Sequence, residues 1–456
     1  MEAVSTPSSA TTAGRSSRSV VLALLLAIFL GAQGTPDSGT SDISSLLALG
    51  FQAKSVGSRN ATSKAEPFLI RLRRIQGTGQ PEGFQGSFYV ASLYLGSPRP
   101  QHLRVSFDTA SGQVVVPSSR CHSLACSEHR RFAPRASSTA QDINGDGRPL
   151  QLTPGAKTIK RDAISIGVTS LEWGSGRISG DLLYEEQACF GGPAGHGRCI
   201  ALGLVGATEM SDVPFRAAAY DGTVGLGLAA LSSSPLFHAL TRLESGTSTP
   251  LPRSFGLYLG ATGGELALGG FNAKRLASPL LWAPVIRPED GYWQVAIRAV
   301  RVGNTTLACS QGSGCRGIID SLVSGFGISS SLHTRMLRAL RSSEAESNNA
   351  SDGRCQGPAL SIEVEGVAAA PVVLTWGSED YSDPSDCLPR IVSSTLPEDF
   401  GDDVIILGQA FLQRYYTVFD WGSRRLGFGL PAAAADASSL RSERRLSGAR
   451  GAPTAK

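Results

Sequence analysis

The feature that most constrains the fold of this chain is an internal echo. Val105-Ser106-Phe107-Asp108-Thr109-Ala110-Ser111-Gly112 returns loosely as Gly317-Ile318-Ile319-Asp320-Ser321-Leu322-Val323-Ser324-Gly325. In each copy an apolar run ends at an aspartate, a hydroxyl residue follows, and Ser-Gly closes the element. Each copy also has a later apolar-glycine partner, Thr223-Val224-Gly225-Leu226-Gly227 for the first and Ile405-Ile406-Leu407-Gly408 for the second. Internal similarity on this scale reads as a duplicated unit. Two similar halves, each presenting one aspartate at a strand end, predict a pseudo-dyad with both carboxylates at the interface.

The rest of the chain agrees with two β lobes. Its 456 residues are too many for one ordinary core. Fifty-three glycines and 25 prolines punctuate short alternating runs such as Ser87-Phe88-Tyr89-Val90-Ala91-Ser92-Leu93-Tyr94-Leu95. Helical periodicity is sparse, and the best candidates are 234–243 and 330–341. The expected class is all-β and bilobal, with a few short helices. The expected divisions are a signal peptide over 1–34, a propeptide-like leader over 35–83, an N-terminal lobe over 84–270, a C-terminal lobe over 271–430, and a disordered basic tail over 431–456. Within the leader, Pro67-Phe68-Leu69-Ile70-Arg71-Leu72-Arg73-Arg74-Ile75 reads either as a solvated basic linker or as the end of a propeptide whose arginines neutralise an acidic cleft.

Several features point to the secretory pathway. Arg15 and Arg18 precede an apolar run from Val20 to Leu30, then small residues. This is the pattern of a cleaved signal peptide, with an uncleaved membrane anchor as the alternative. Eight cysteines suit an oxidising compartment. Because short loops are entropically easiest to close, the expected pairs are Cys121–Cys126, Cys189–Cys199, Cys309–Cys315 and Cys355–Cys387. Sequons at Asn60, Asn304 and Asn349 mark expected glycosylation sites. The final destination is expected to be extracellular or an acidic vacuole- or lysosome-like compartment.

Two carboxylates a hydrogen bond apart cannot both ionise at low cost, so they share a proton. The ionised member can deprotonate a water while the protonated one donates to a carbonyl oxygen, which is general acid–base amide hydrolysis. Asp108 and Asp320 are the candidates. Thr109 and Ser321 are suited to hydrogen-bond across the pair, and Ser111 to donate to Asp108. Other chemistries find little support. A net charge of +4 is small and carries no base-reading stripe, so no nucleic-acid partner is expected. Asp142-Ile143-Asn144-Gly145-Asp146-Gly147 copies the start of a calcium loop, but Thr153 stands where calcium needs a bidentate glutamate. No metal or cofactor is expected. Histidine spacing shows no HExxH, and no GxSxG elbow exists.

With these residues in order, the chain from about Phe84 to Leu430 resembles the pepsin-like aspartic proteases. Phe107-Asp108-Thr109-Ala110-Ser111 is similar to the first catalytic motif, and Cys121 to Cys126 with His129, Phe132 and Ser137-Ser138-Thr139 resembles the first disulfide loop. Tyr220 to Gly227, Gly291-Tyr292-Trp293-Gln294, Ile406-Leu407-Gly408 and Tyr415 to Asp420 continue the match. The resemblance implies a polypeptide substrate, a monomer, active-site loop glycines at Gly225 and Gly408, and a cleft-covering β-hairpin flap around Trp173 and Gly174, where Trp173 replaces the family's usual tyrosine. Trp173 also reads as a buried hairpin-packing residue.

The chain departs from the family pattern at further places, including Ser321, which keeps the hydroxyl of the family's threonine. Ala110 and Leu322 replace active-site glycines, Val323 replaces a hydroxyl residue, and Val115 replaces the usual tryptophan. Leu322 is the largest change, since a side chain there is expected to intrude on the cleft or shift the backbone donor facing Asp320. Two functions follow: an aspartic endopeptidase working at acidic pH, or a catalytically impaired relative that binds peptide or protein in the same cleft.

Overall fold

The computed structural model describes residues 66–76, 87–151, 161–170, 174–245, 251–310, 314–342, 355–368, 370–383, 386–394, 400–401 and 403–432. The apolar N-terminal run, Asn60, Trp173, Asn349 and the tail from 433 lie outside them. Among the described residues, no helix is long and apolar enough to cross a membrane.

Strands dominate. Thirteen form a continuous sheet whose spine carries the first aspartate. Ser87–Leu95 pairs antiparallel with Gln101–Asp108, which runs parallel to Gly222–Gly225, which in turn lies beside Val114–Pro117. The second half builds an eight-stranded sheet. There Gln294–Val302 pairs with Cys315–Ile319, which runs parallel to Val404–Leu407. The two halves thus repeat one device, an aspartate-bearing strand laid parallel to an apolar-glycine strand. The sequence reading of an all-β, bilobal protein is borne out.

The segment Phe68–Gln76 requires a correction. It is not a solvated linker but a strand paired on both edges, with Phe68 opposite Leu268 and Gln76 opposite Ser87. The physical reason is period-two alternation. Ile70 and Leu72 are buried while Arg71 and Arg73 face solvent. Paired strands therefore begin at Phe68, within the span 35–83.

Short helices fill the gaps. One spans Ser330–Ser342, close to the expected 330–341. The expected helix over 234–243 forms only as Ala239–Ser245, because Ser234 and Pro235 are used in a turn closed by the Phe237 N–H on the Ser234 carbonyl. A main hydrophobic core runs through both halves, with a smaller cluster around Val115, Ile178, Met210 and Phe215 and another around Ile318, Val323, Val404 and Ile406. All four expected disulfides are present.

Candidate active site

Asp108 ends the strand Gln101–Asp108, and Asp320 directly follows Cys315–Ile319. Each strand is buried over the three residues ahead of its aspartate, Val105 to Phe107 and Gly317 to Ile319, so it delivers the aspartate at the point where the chain must turn away. The two turns grip each other. The Thr109 N–H donates to Ser321 Oγ at 3.1 Å, and the Ser321 N–H donates to Thr109 Oγ1 at 3.1 Å. Thr109 Oγ1 donates in turn to the Ile319 carbonyl at 2.8 Å, and Ser321 Oγ to the Phe107 carbonyl at 2.6 Å. Both residues are buried, so the four bonds form in a poorly solvated setting where leaving one partner unmade is costly.

The carboxylates are met alike. The Ala110 N–H donates to Asp108 Oδ1 at 2.8 Å, and the Leu322 N–H donates to Asp320 Oδ1 at 2.8 Å. The expectation that Leu322 displaces this donor therefore fails on the backbone side. The leucine keeps its N–H on the carboxylate, and its half-buried side chain joins none of the hydrophobic clusters. Val323 is buried and packs with Ile318, Val404 and Ile406, supplying no hydroxyl near Asp320. Ser111 Oγ lies where it favours the ionised Asp108, yet it makes no hydrogen bond of ordinary geometry.

Burial raises the Asp108 carboxyl above the usual range, partly opposed by the Ala110 N–H and the Ser111 hydroxyl. Asp108 keeps some surface open, so this is enclosure by protein rather than removal from the cleft. Two phenols record the joint field of both carboxyls. Tyr220 and Tyr292 are both pushed up, first by burial and then by the charges of Asp108 and Asp320.

The loop glycines Gly225 and Gly408 serve by close approach. A Cβ on Gly225 would lie 2.5 Å from the Gln113 nitrogen, and one on Gly408 would lie 2.2 Å from the Gly325 carbonyl oxygen. Neither space tolerates a side chain without moving backbone. Trp293, fully buried, donates Nε1–H to the Leu226 carbonyl at 2.7 Å, and the Leu226 N–H donates to the Asp108 carbonyl at 2.7 Å. Gln409 went unnoticed in the sequence. Its side chain donates to the Ser321 carbonyl at 3.1 Å and is buried, a role that a lone polar residue after a glycine does not announce.

A hairpin stands over the first lobe. Ile164–Ser170 pairs with Gly174–Gly180, with Ser170 opposite Gly174, and Met210 lies opposite Ile178. Trp173 lies outside the described residues. A small, mostly apolar recess is lined by Val115, Ile178, Met210, Phe215 and Tyr220, with His129 and Asp221 also on its wall. Burial opposes a charged His129, but its contacts with Asp221 and the Phe215 carbonyl outweigh burial and raise its pKa. Burial likewise opposes an ionised Asp221, and its contacts with His129 and the N–H groups of Arg104 and Arg130 hold it low. Among the described residues, no cluster of His, Cys, Asp or Glu is arranged to hold a metal.

Paired aspartates on a duplicated strand device define the aspartic-protease class of β proteins. The sequence profile described as "Eukaryotic aspartyl protease" matches residues 88–167 and 153–430. Guinea-pig (Cavia porcellus) gastricsin is 30% identical over 386 residues, covering 82% of this chain and 86% of the relative. Mouse (Mus musculus) napsin-A is 31% identical over 409 residues, covering 85% of each chain, and dog (Canis lupus familiaris) pepsin B is 29% identical over 356 residues, covering 75% and 81%. The chain belongs to the eukaryotic aspartyl protease family.

Proposed function

We propose that this protein is an active aspartic endopeptidase, with Asp108 and Asp320 as its catalytic pair. The observation that carries the reading is the matched setting of the two carboxylates: the same backbone donor distance on each side, across a reciprocal grip. Buried carboxyls held this way titrate as a pair and share one proton. The ionised member takes a proton from water as its oxygen bonds to the scissile carbonyl carbon. The other member donates to the carbonyl oxygen. Collapse of that adduct breaks the C–N bond, and the departing nitrogen takes up a proton. The N-terminal pattern supports entry to the secretory pathway, and Asn304, exposed between Gln294–Val302 and Thr305–Ala308, is accessible to glycosylation.

Leu322 and Val323 favour a second reading, a relative that binds peptide without turnover, because they replace a glycine and a hydroxyl residue beside Asp320. One experiment separates the two. Cleavage of a denatured protein at about pH 4, where a carboxylate pair holds a single proton, is measured with and without a statine-type inhibitor, and again in Asp108→Asn. Inhibitable turnover that vanishes in the variant supports the protease. Inhibitor binding with no turnover in the wild type supports the binder.

A further inference from the structure

Outside the cleft, the outer face of the first sheet gathers an unusual set of cations. Antiparallel register puts Arg104 opposite Ser92 and His102 opposite Tyr94, so these four side chains share one face. His102 stacks on Tyr94, with ring centroids 5.0 Å apart. Arg73 enters from the neighbouring strand, opposite Val90, and Arg130 from the first disulfide region. Burial and the positive charges of Arg130, Arg104 and Arg73 disfavour a charged His102, against the opposing charge of Asp221.

None of these three guanidiniums forms an ion pair with a carboxylate among the described residues. Arg104 Nε is buried and has no hydrogen-bond acceptor. The carboxylate that faces the group, Asp221, is already committed. It accepts the Arg104 N–H at 2.7 Å and the Arg130 N–H at 3.0 Å, and its Oδ1 lies 3.8 Å from His129 Nδ1.

The imidazole itself is set as a latch. Arg130 is only a donor, so its 2.7 Å contact with His102 Nδ1 requires a lone pair there. Nε2–H then donates to Ser92 Oγ at 2.9 Å. Protonation of the ring removes that lone pair, frees the Arg130 guanidinium, and adds a fourth positive charge. Crowding four positive charges around one carboxylate that is already engaged is unfavourable, and guanidinium forks match tetrahedral oxyanions.

We propose that Arg73, His102, Arg104 and Arg130 form a binding site for a sulfate or phosphate group, separate from the cleft and strengthened by acid. The anion receives the Arg130 fork that His102 releases on gaining a proton. Ser92 and Tyr94 supply the floor, and Asp221 stays engaged behind it.

The test follows the His102 ring by NMR across a pH titration. It is run with no added anion, with inorganic sulfate, and with a sulfated oligosaccharide at matched sulfate concentration. Both anions are expected to raise the protonation midpoint of His102, and binding to tighten about tenfold for each pH unit of that rise. Stronger action by the oligosaccharide assigns the site to an ester on a glycan, and equal action assigns it to the free ion. Arg130→Gln and Arg73→Gln are expected to abolish the effect while leaving proteolysis unchanged. A midpoint unmoved by either anion, or moved equally in the variants, overturns the proposal. Because the readout is not proteolysis, the result stands apart from whether the cleft is catalytic.

Discussion

Thr109 and Ser321, 212 residues apart, each donate a backbone N–H to the other's hydroxyl oxygen at 3.1 Å. Each hydroxyl then donates to the backbone just before the other's aspartate, at Ile319 and Phe107. This cross-bracing ties stability to the geometry of the two aspartate turns. Ser321→Ala strands a buried N–H and a buried carbonyl, at a cost of about 2–4 kcal/mol for the two groups together. Denaturant unfolding is expected to show that loss, and kcat is expected to fall more than KM rises. Ser321→Thr, which restores the hydroxyl, is expected to recover most of both. An alanine variant as stable and active as the wild type would falsify the bracing role.

Asp108 makes stability depend on pH with a definite sign. Burial raises its folded carboxyl above the unfolded value. A group raised in this way adds stability that is complete below the unfolded value and disappears as pH climbs through the folded one. Unfolding free energy is therefore expected to decline between acidic and neutral pH. Asp108→Asn should flatten that decline while removing turnover. Parallel pH profiles for the two proteins would show that another group governs it.

His129 and Asp221 bound a second window. The raised imidazole contributes below its folded pKa and is lost above it, whereas the lowered carboxyl contributes above its own and is lost below it. The pair is expected to stabilise the mildly acidic range between those limits. His129→Gln should lower melting temperature most within that range. A uniform loss at every pH would point to packing rather than charge.

Val115 and Leu322 offer a test of what limits substrate size. Val115 lines the apolar recess shared with Ile178 and Tyr220. Val115→Trp is expected to fill it, lowering kcat/KM for peptides with a large apolar residue at the scissile bond by roughly 10-fold or more. Leu322→Gly removes a half-buried side chain beside Asp320 and is expected to raise kcat/KM for bulky peptides. If peptide-series kinetics show neither change, these residues do not touch substrate.

The disulfides should differ in weight. The Cys355–Cys387 bridge closes a separation of 32 residues and Cys121–Cys126 one of 5. Loop entropy predicts losses of about 4 and about 2 kcal/mol on removing them. Chemical denaturation of the two paired Cys→Ala variants checks the order, and the reverse order would show that local packing outweighs closure entropy.

Much of the site was readable in the sequence because its signals are short and contiguous. An apolar strand, an aspartate, a hydroxyl and a later glycine are neighbours in the chain, so Asp108 and Asp320 declared themselves as a repeated pair. The grip between Thr109 and Ser321 was legible only as a suitable pair of side chains, since nothing local states that the two turns meet. Gln409 was invisible for the same reason, because its partner is the Ser321 carbonyl far upstream. The strand Phe68–Gln76 misled through its arginines. Charge density suggested a linker, while the buried Ile70 and Leu72 between exposed arginines carried the truer period-two signal. The cations around His102 come from three separate stretches of chain, and only sheet register brings them together.

That same early strand sets a timetable for the nascent polypeptide. Arg74 donates to the Ala261 carbonyl across 187 residues, and Gln413 reaches Tyr89 across 324. The central sheet therefore cannot close while synthesis is under way on its distant partners. An edge made near the start must wait, unpaired, for strands translated much later. Contacts of such separation slow folding and leave sheet edges exposed in the interval, so this chain is expected to lean on chaperones until its last strands emerge.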